Sequence, residues 1–227
     1  MRFHAHILAL AGLMAVGITA IAADEKPKTP RQPGWIVVEE DVWFPLRFAV
    51  TNQFHAAREQ FRQKEEKAAA KELIKAAALL KIAHGHSTPE GAKVLESASD
   101  DMARLAKDLD KGKIASTRRF EATLHKLHYA LAAHHYFKAN DHIGNNQMKF
   151  AGEHLETAAH FLQNAMASAE REYGKEIIER VERIDEHGRV LSEGSIIEKN
   201  QLVEDLRVLK EQVDAIGETL EKIKPTP

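Results

Sequence analysis

The stretches AKELIKAAALLKIA (residues 70–83) and GEHLETAAHFLQNA (residues 152–165) decide the fold class. Laid over each other, Leu73 meets Leu155, Ala76 meets Ala158, Ala77 meets Ala159, Leu80 meets Leu162 and Ala83 meets Ala165. The matching positions fall three and four residues apart, which is one face of an α-helix, so what recurs is a helical face shaped for burial. The segments before them, Ala57-Arg58-Glu59-Gln60-Phe61 and Ala133-His134-His135-Tyr136-Phe137, each end in an aromatic and lead into the repeated helix. Asn140 to Asn146 supplies an Asn/Gly turn in the second copy. By analogy the first copy turns near Gln63 to Glu66, although no helix breaker stands there; the alternative is one continuous helix from Phe44 to Ala83.

Outward from these stretches, good helix formers dominate from Phe44 on, and Gly or Pro appear only at separated points that mark turns. Gly85-His86-Ser87-Thr88-Pro89 ends one helix and opens the next, with Thr88 as N-cap and Pro89 at the first helical position, where a missing N–H costs nothing. Asp110-Lys111-Gly112-Lys113 is a further break. The reading is an all-α antiparallel bundle of about five helices over residues 42–173 with an internally repeated helix pair.

After Tyr173 there is no Phe, Tyr or Trp, and from Glu170 on 10 basic side chains face 15 acidic ones, against 18 and 14 over residues 42–169. This change in composition predicts a second structural unit over residues 174–227. There Leu202, Leu206, Leu209, Val213, Ile216, Leu220 and Ile223 alternate four and three apart, a heptad stripe. Ile177, Val181, Ile184 and Leu191 repeat the idea before Gly194, and Ser195 to Glu198 reads as a capping box. The expected form is a helical hairpin or coiled coil. Standing alone it would expose its stripe, which would then recruit a second copy of the chain or another envelope protein.

At the other end, residues 1–22 have a cationic start, an apolar run and a small-residue site at Ala20-Ile21-Ala22, the pattern of a cleaved signal peptide. Residues 23–41 follow as a Pro-rich, extended lead-in. The expected location is the periplasm or outside the cell, with no stable membrane insertion after cleavage. The chain has no cysteine, so no disulfide supports the fold. Without the leader, 31 basic stand against 34 acidic residues, which argues against nucleic acid as a partner.

Histidine is the one over-represented reactive residue, with eleven copies after residue 22. Spacing places His128 and His135 at the edge of the Phe120/Leu124/Leu127/Leu131 stripe, with His134 within it. His154 borders the repeated face of the partner helix, and His55 shares a stripe with Phe44 and Phe48. Neutral imidazole is the commonest metal ligand, so the candidate site is His128, His135 and His154 around a transition metal, zinc or copper, or less readily a haem. His84 and His86, on one Gly-containing turn, form a second candidate pair. Covalent haem is excluded, since there is no Cys-x-x-Cys-His. Gly-x-Ser-x-Gly, a glycine-rich phosphate loop and paired carboxylates on an apolar stripe are all missing, so the chain reads as non-enzymatic.

The pattern of Ala57-Arg58-Glu59-Gln60-Phe61, Ala69/Ala70, Leu73, Ala76 and Leu80 resembles the hairpins of bacterial YfdX-type periplasmic proteins. That resemblance implies an envelope protein tied to acid or stress responses, with no catalytic residue to carry over. The same pattern is similar to a degenerate tetratricopeptide helix pair, but such arrays repeat about every 34 residues, and these copies lie about 80 apart.

Overall fold

A computed structural model describes residues 47–113, 116–169 and 172–222. Over these the chain forms seven helices and no strand: α1 Ala49–Arg62, α2 Glu66–Gly85, α3 Pro89–Asp110, α4 Thr117–Gly144, α5 Met148–Ser168, α6 Lys175–Ser192 and α7 Lys199–Lys222. The leader and the extended lead-in lie outside the described residues, as does Ile223 of the heptad stripe. Each helix from α1 to α6 packs against the next in the chain, and α7 returns across α4 and α5. The all-α bundle expected from the sequence is what the chain forms.

The repeat is larger than the two stretches that reveal it. Among the described residues two non-glycine positions have positive φ, Lys64 (64°) and Asn146 (58°), and they stand 82 positions apart (146 − 64). Shifted by 82, the hydrogen bonds of the two turns coincide: Lys64 N–H to Phe61 O matches Asn146 N–H to Ile143 O, and Glu65 N–H to Gln60 O matches Gln147 N–H to His142 O. The next turn agrees as well. Gly112 (φ 64°) and Gly194 (φ 91°) are 82 apart, and Lys113 N–H to Asp108 O matches Ser195 N–H to Val190 O. In this register α1–α2–α3 corresponds to the second half of α4 with α5 and α6, and α7 corresponds to residues 117–140, nearly the whole of α4.

The duplication explains several outcomes. The five matched pairs of α2 and α5 are all buried, as helical spacing required. The first copy does turn at residues 63–65, where Lys64 takes the left-handed conformation without a glycine. Ala57 to Phe61 and Ala133 to Phe137 are not equivalent, however, since the register pairs Phe61 with Ile143. Thr88 caps α3 as expected, its hydroxyl accepting from Gly91 N–H at 3.2 Å. Ser195 does not open α7. Its N–H closes α6 onto Val190 O beyond the positive-φ Gly194, and α7 begins at Lys199.

The boundary expected near Tyr173 is a change of composition inside one packed unit. Val181, Ile184 and Leu191 of α6 and Leu202, Leu209, Val213 and Ile216 of α7 share a single core with Leu155 and Leu162. Most of the described heptad stripe is therefore covered within the chain: Leu202, Leu209, Val213 and Ile216 are buried, and Leu206 and Leu220 are half-buried. The reason lies in the register: the α7 stripe is the counterpart of Phe120, Leu124, Leu127 and Leu131 on α4, and both serve the internal core. The hairpin itself is present, its arms linked by His187 Nδ1 and Asp205 Oδ2 at 2.8 Å.

Glycine sets two of the closest approaches. A Cβ at Gly152 would lie 2.5 Å from Ser192 N and 2.7 Å from Gly188 O, and one at Gly188 would lie 2.3 Å from Glu156 N. Helices α5 and α6 thus cross backbone to backbone, which only residues without a side chain allow. In the first copy the same positions are Ala70 and Ala106.

Candidate functional site

Helix α4 carries the long row of histidines because its 28 residues are covered on several sides, by α3, α5 and α7. His125, His128, His134, His135 and His142 on α4 and His154 on α5 are all buried. A buried imidazole needs partners for its nitrogens, and these side chains sort into two neighbouring groups.

The first group surrounds a cleft of about 460 Å³ between α1, α4 and α5, lined by Phe48, Thr51, Asn52, His55, His128, His160 and Asn164. His128 is 6% exposed, and its Nδ1 is buried without a hydrogen-bond partner. Burial drives its pKa down to about 4, helped by His55, His125 and His160 and opposed by the Asn164 carbonyl. His55 and His160 sit on the exposed rim, and burial lowers both; Arg58 adds to the effect at His55, while at His160 Asp185 opposes it and Arg47 adds a smaller lowering. Among the described residues no Asp, Glu, Lys or Arg lines the cleft, so at neutral pH the described wall is uncharged.

The second group is wholly internal. His135 Nδ1 and His154 Nδ1 meet at 2.7 Å, so one ring donates and the other accepts. His142 lies nearly parallel to His154, centroids 5.2 Å apart and planes 13° from parallel. Its Nδ1–H donates to Gln147 Oε1 at 2.7 Å, which leaves the ring lone pair on Nε2. His134 packs edge-on to His135 with centroids 4.7 Å apart, and its Nδ1 meets Ser87 Oγ at 2.8 Å.

The expected trio of His128, His135 and His154 is therefore split. His135 and His154 come together, while Phe161 stands between them and His128, its ring 17° from parallel with His135 and 25° from parallel with His128. Seven residues of separation put His128 and His135 on one side of α4 but two turns apart along it, too far for one ion. Among the described residues no group of three or more His, Asp or Glu side chains is placed to hold a metal ion. His84 closes α2 and His86 caps it, and no third ligand joins them among the described residues. Sequence reading missed His142 as a neighbour of His154, and His55 and His160 as companions of His128. Only His142 had a visible signal, one more step of seven beyond His135.

No protein-family model, curated protein or solved structure matches this chain. The class is set by fold and site alone: a duplicated all-α bundle with imidazoles built into its second copy. No described helix is long and apolar enough to cross a membrane.

Proposed function

We propose that this chain is an exported, non-enzymatic binding protein of the cell envelope, and that it takes its ligand in the cleft between α1, α4 and α5. The observation that carries this reading is the uncharged cleft floored by a buried imidazole with an unpartnered Nδ1. Clefts that bind small ligands combine apolar walls with a few placed polar groups. Here Phe48 supplies the wall, and Asn52, Asn164 and three imidazoles supply the polar groups. Its occupant is an uncharged molecule or segment with an aromatic or amide face. The signal-peptide pattern of residues 1–22 and the resemblance to YfdX-type proteins support the envelope setting.

Binding is tested by following the NMR shifts of Thr51, His55, His128 and Asn164 in the mature chain while uncharged heteroaromatic and amide fragments are added. Shifts at pH 7.5 that vanish when Asn164→Trp fills the cleft support the reading. Fragments that leave those resonances unmoved, or bind the filled variant equally well, sink it. Export is checked separately by N-terminal sequencing of the protein from an envelope fraction, where a start at Ala23 is expected.

A further inference from the structure

The 82-residue register isolates a second place where the chemistry departs from what packing asks for. His187 of α6 and Asp205 of α7 stand where Leu105 and Thr123 stand in α3 and α4. Both counterparts are buried, and the Thr123 hydroxyl donates to the Arg119 carbonyl of its own helix at 2.9 Å. An apolar and a self-satisfied side chain therefore suffice at this position of the fold. Asp205 nevertheless puts a carboxylate there at 5% exposure, and burial pushes its pKa up against the lowering pull of the His187 hydrogen bond and of Arg183. A buried carboxylate costs free energy unless its oxygens find donors or a cation.

His187 meets only half of that demand. Its Nε2 accepts from the Gln201 side-chain amide at 3.2 Å, so its proton sits on Nδ1 and is donated to Asp205 Oδ2 at 2.8 Å. The other oxygen, Oδ1, has no hydrogen-bond partner among the described residues. Asp205 lines a pocket of about 300 Å³ between α6 and α7. The charges at its mouth pair with one another or with neighbours: Glu176 with Arg180 at 2.6 Å, Glu204 with Arg207 at 2.6 Å and Glu179 with Lys175 at 3.2 Å. Arg183, also in the lining, is left over. At the corresponding positions of α3 and α4, Asp101 meets Lys126 at 3.0 Å. Arg183 and Val208 replace that pair, and Arg183 has no ion pair among the described residues. One buried carboxylate oxygen and one guanidinium thus remain unanswered in the same pocket.

We propose that this pocket binds a free α-amino acid, its ammonium donating to Asp205 and its carboxylate accepting from Arg183. A zwitterion answers both leftover charges, whereas a plain cation would face Arg183 and a plain anion would face Asp205. The guanidinium fork matches the two oxygens of a carboxylate. The volume stands at the lower end of the range for small-ligand sites, which suits a single amino acid. The pocket shares no lining residue with the cleft between α1, α4 and α5, so the two sites stand or fall separately.

In the test, the untagged mature chain is titrated with glycine, L-alanine, L-glutamine and L-leucine by calorimetry, and the backbone NMR shifts of Arg183, Ile184 and Asp205 are followed. Saturable one-to-one binding of at least one of the four is expected, with shifts at those residues. For the tightest binder, the N-acetyl derivative lacks the ammonium and the amide lacks the carboxylate, and each should bind about 10-fold more weakly or worse. Asp205→Thr, which copies the residue on α4, should lose about 10-fold or more with helicity unchanged. Asp205→Asn keeps the side-chain shape and gives the same readout should the threonine variant fail to fold. Arg183→Gln, an exposed change, should erase the preference for the amino acid over its amide. Asn164→Trp, which fills the other cleft, should leave binding intact. No saturable binding of any of the four, binding that survives Asp205→Asn, or an amide held by the native chain as tightly as the amino acid would overturn the proposal.

Discussion

The two copies of the repeat share their turns almost bond for bond and differ in what they put inside. The first copy crosses its helices with Ala70 and Ala106 and keeps Asn52 exposed. The second crosses with Gly152 and Gly188 and buries His134, the counterpart of Asn52. The closer α5/α6 crossing and the buried imidazoles belong to the same half of the molecule. Backbone geometry is thus shared, while the buried imidazoles are confined to the second copy; the first copy adds only the exposed His55 and Asn52 and their α1 neighbours to the cleft.

The strongest way to break this comparison is to give the second copy the first copy's crossing. Gly188→Ala places a methyl 2.3 Å from Glu156 N and 2.8 Å from Gly152 O. Both are backbone atoms that cannot swing away, so the helices must separate. A loss of about 3 kcal/mol or more is expected in urea unfolding. The reciprocal Ala106→Gly should cost only about 1 kcal/mol, mostly helix propensity. Equal effects at the two sites would mean that the crossings are not different in kind.

The next effect is on pH. His128 has a pKa of about 4 in the folded chain against 6.5 for an unperturbed imidazole, chiefly because burial disfavours its charge. Between those values the unfolded chain binds a proton that the folded chain refuses. Stability is therefore full above pH 6.5 and falls as the pH drops toward 4, by about 3 kcal/mol for this group. His125, His55 and His160 shift the same way, all through burial first. The first copy has Leu46 where the second has His128, so His128→Leu should remove most of this slope. Asp205, Asp185 and Glu156 are raised by burial and act in the opposite sense, but in the carboxylate range. Unfolding curves that keep the same acid slope in His128→Leu would show that the charge is carried elsewhere.

Much of the fold was legible because its signal is local and periodic. The paired faces of α2 and α5 could be read from Leu and Ala spacing, and the turn after α1 could be inferred only from its copy, since Lys64 is no helix breaker. The register itself was blurred at α1 and α4, where Phe61 and Phe137 end similar-looking segments but the turn bonds pair Phe61 with Ile143. The fate of the α7 stripe was not legible, because periodicity states that a face is buried and not what buries it. The site suffered from the same gap. Spacing along α4 placed His128 with His135, whereas Phe161 of another helix parts them, and His55 reaches His128 from a helix more than 60 residues earlier in sequence. Which helix meets which is a tertiary fact, and the residues that decide it here, Gly152 and Gly188, have no side chain with which to announce it.

The smallest effect sharpens the comparison at the turns. Lys64 and Asn146 occupy the same left-handed position, with φ of 64° and 58°. Crowding between Cβ and carbonyl makes this conformation unfavourable for lysine by about 1 kcal/mol, whereas asparagine adopts it more readily. Lys64→Gly should therefore stabilise the chain by about 0.5–1 kcal/mol, offset in part by the greater freedom glycine gives the unfolded chain. Lys64→Asn, which copies the second turn into the first, should gain a few tenths of a kcal/mol, and Asn146→Lys should lose about as much. Matched midpoints in urea for these variants and the native chain would mean that the turns are not strained in the way their shared φ implies. A gain at Lys64 mirrored by a loss at Asn146 would establish that one backbone turn, written twice, is better written the second time.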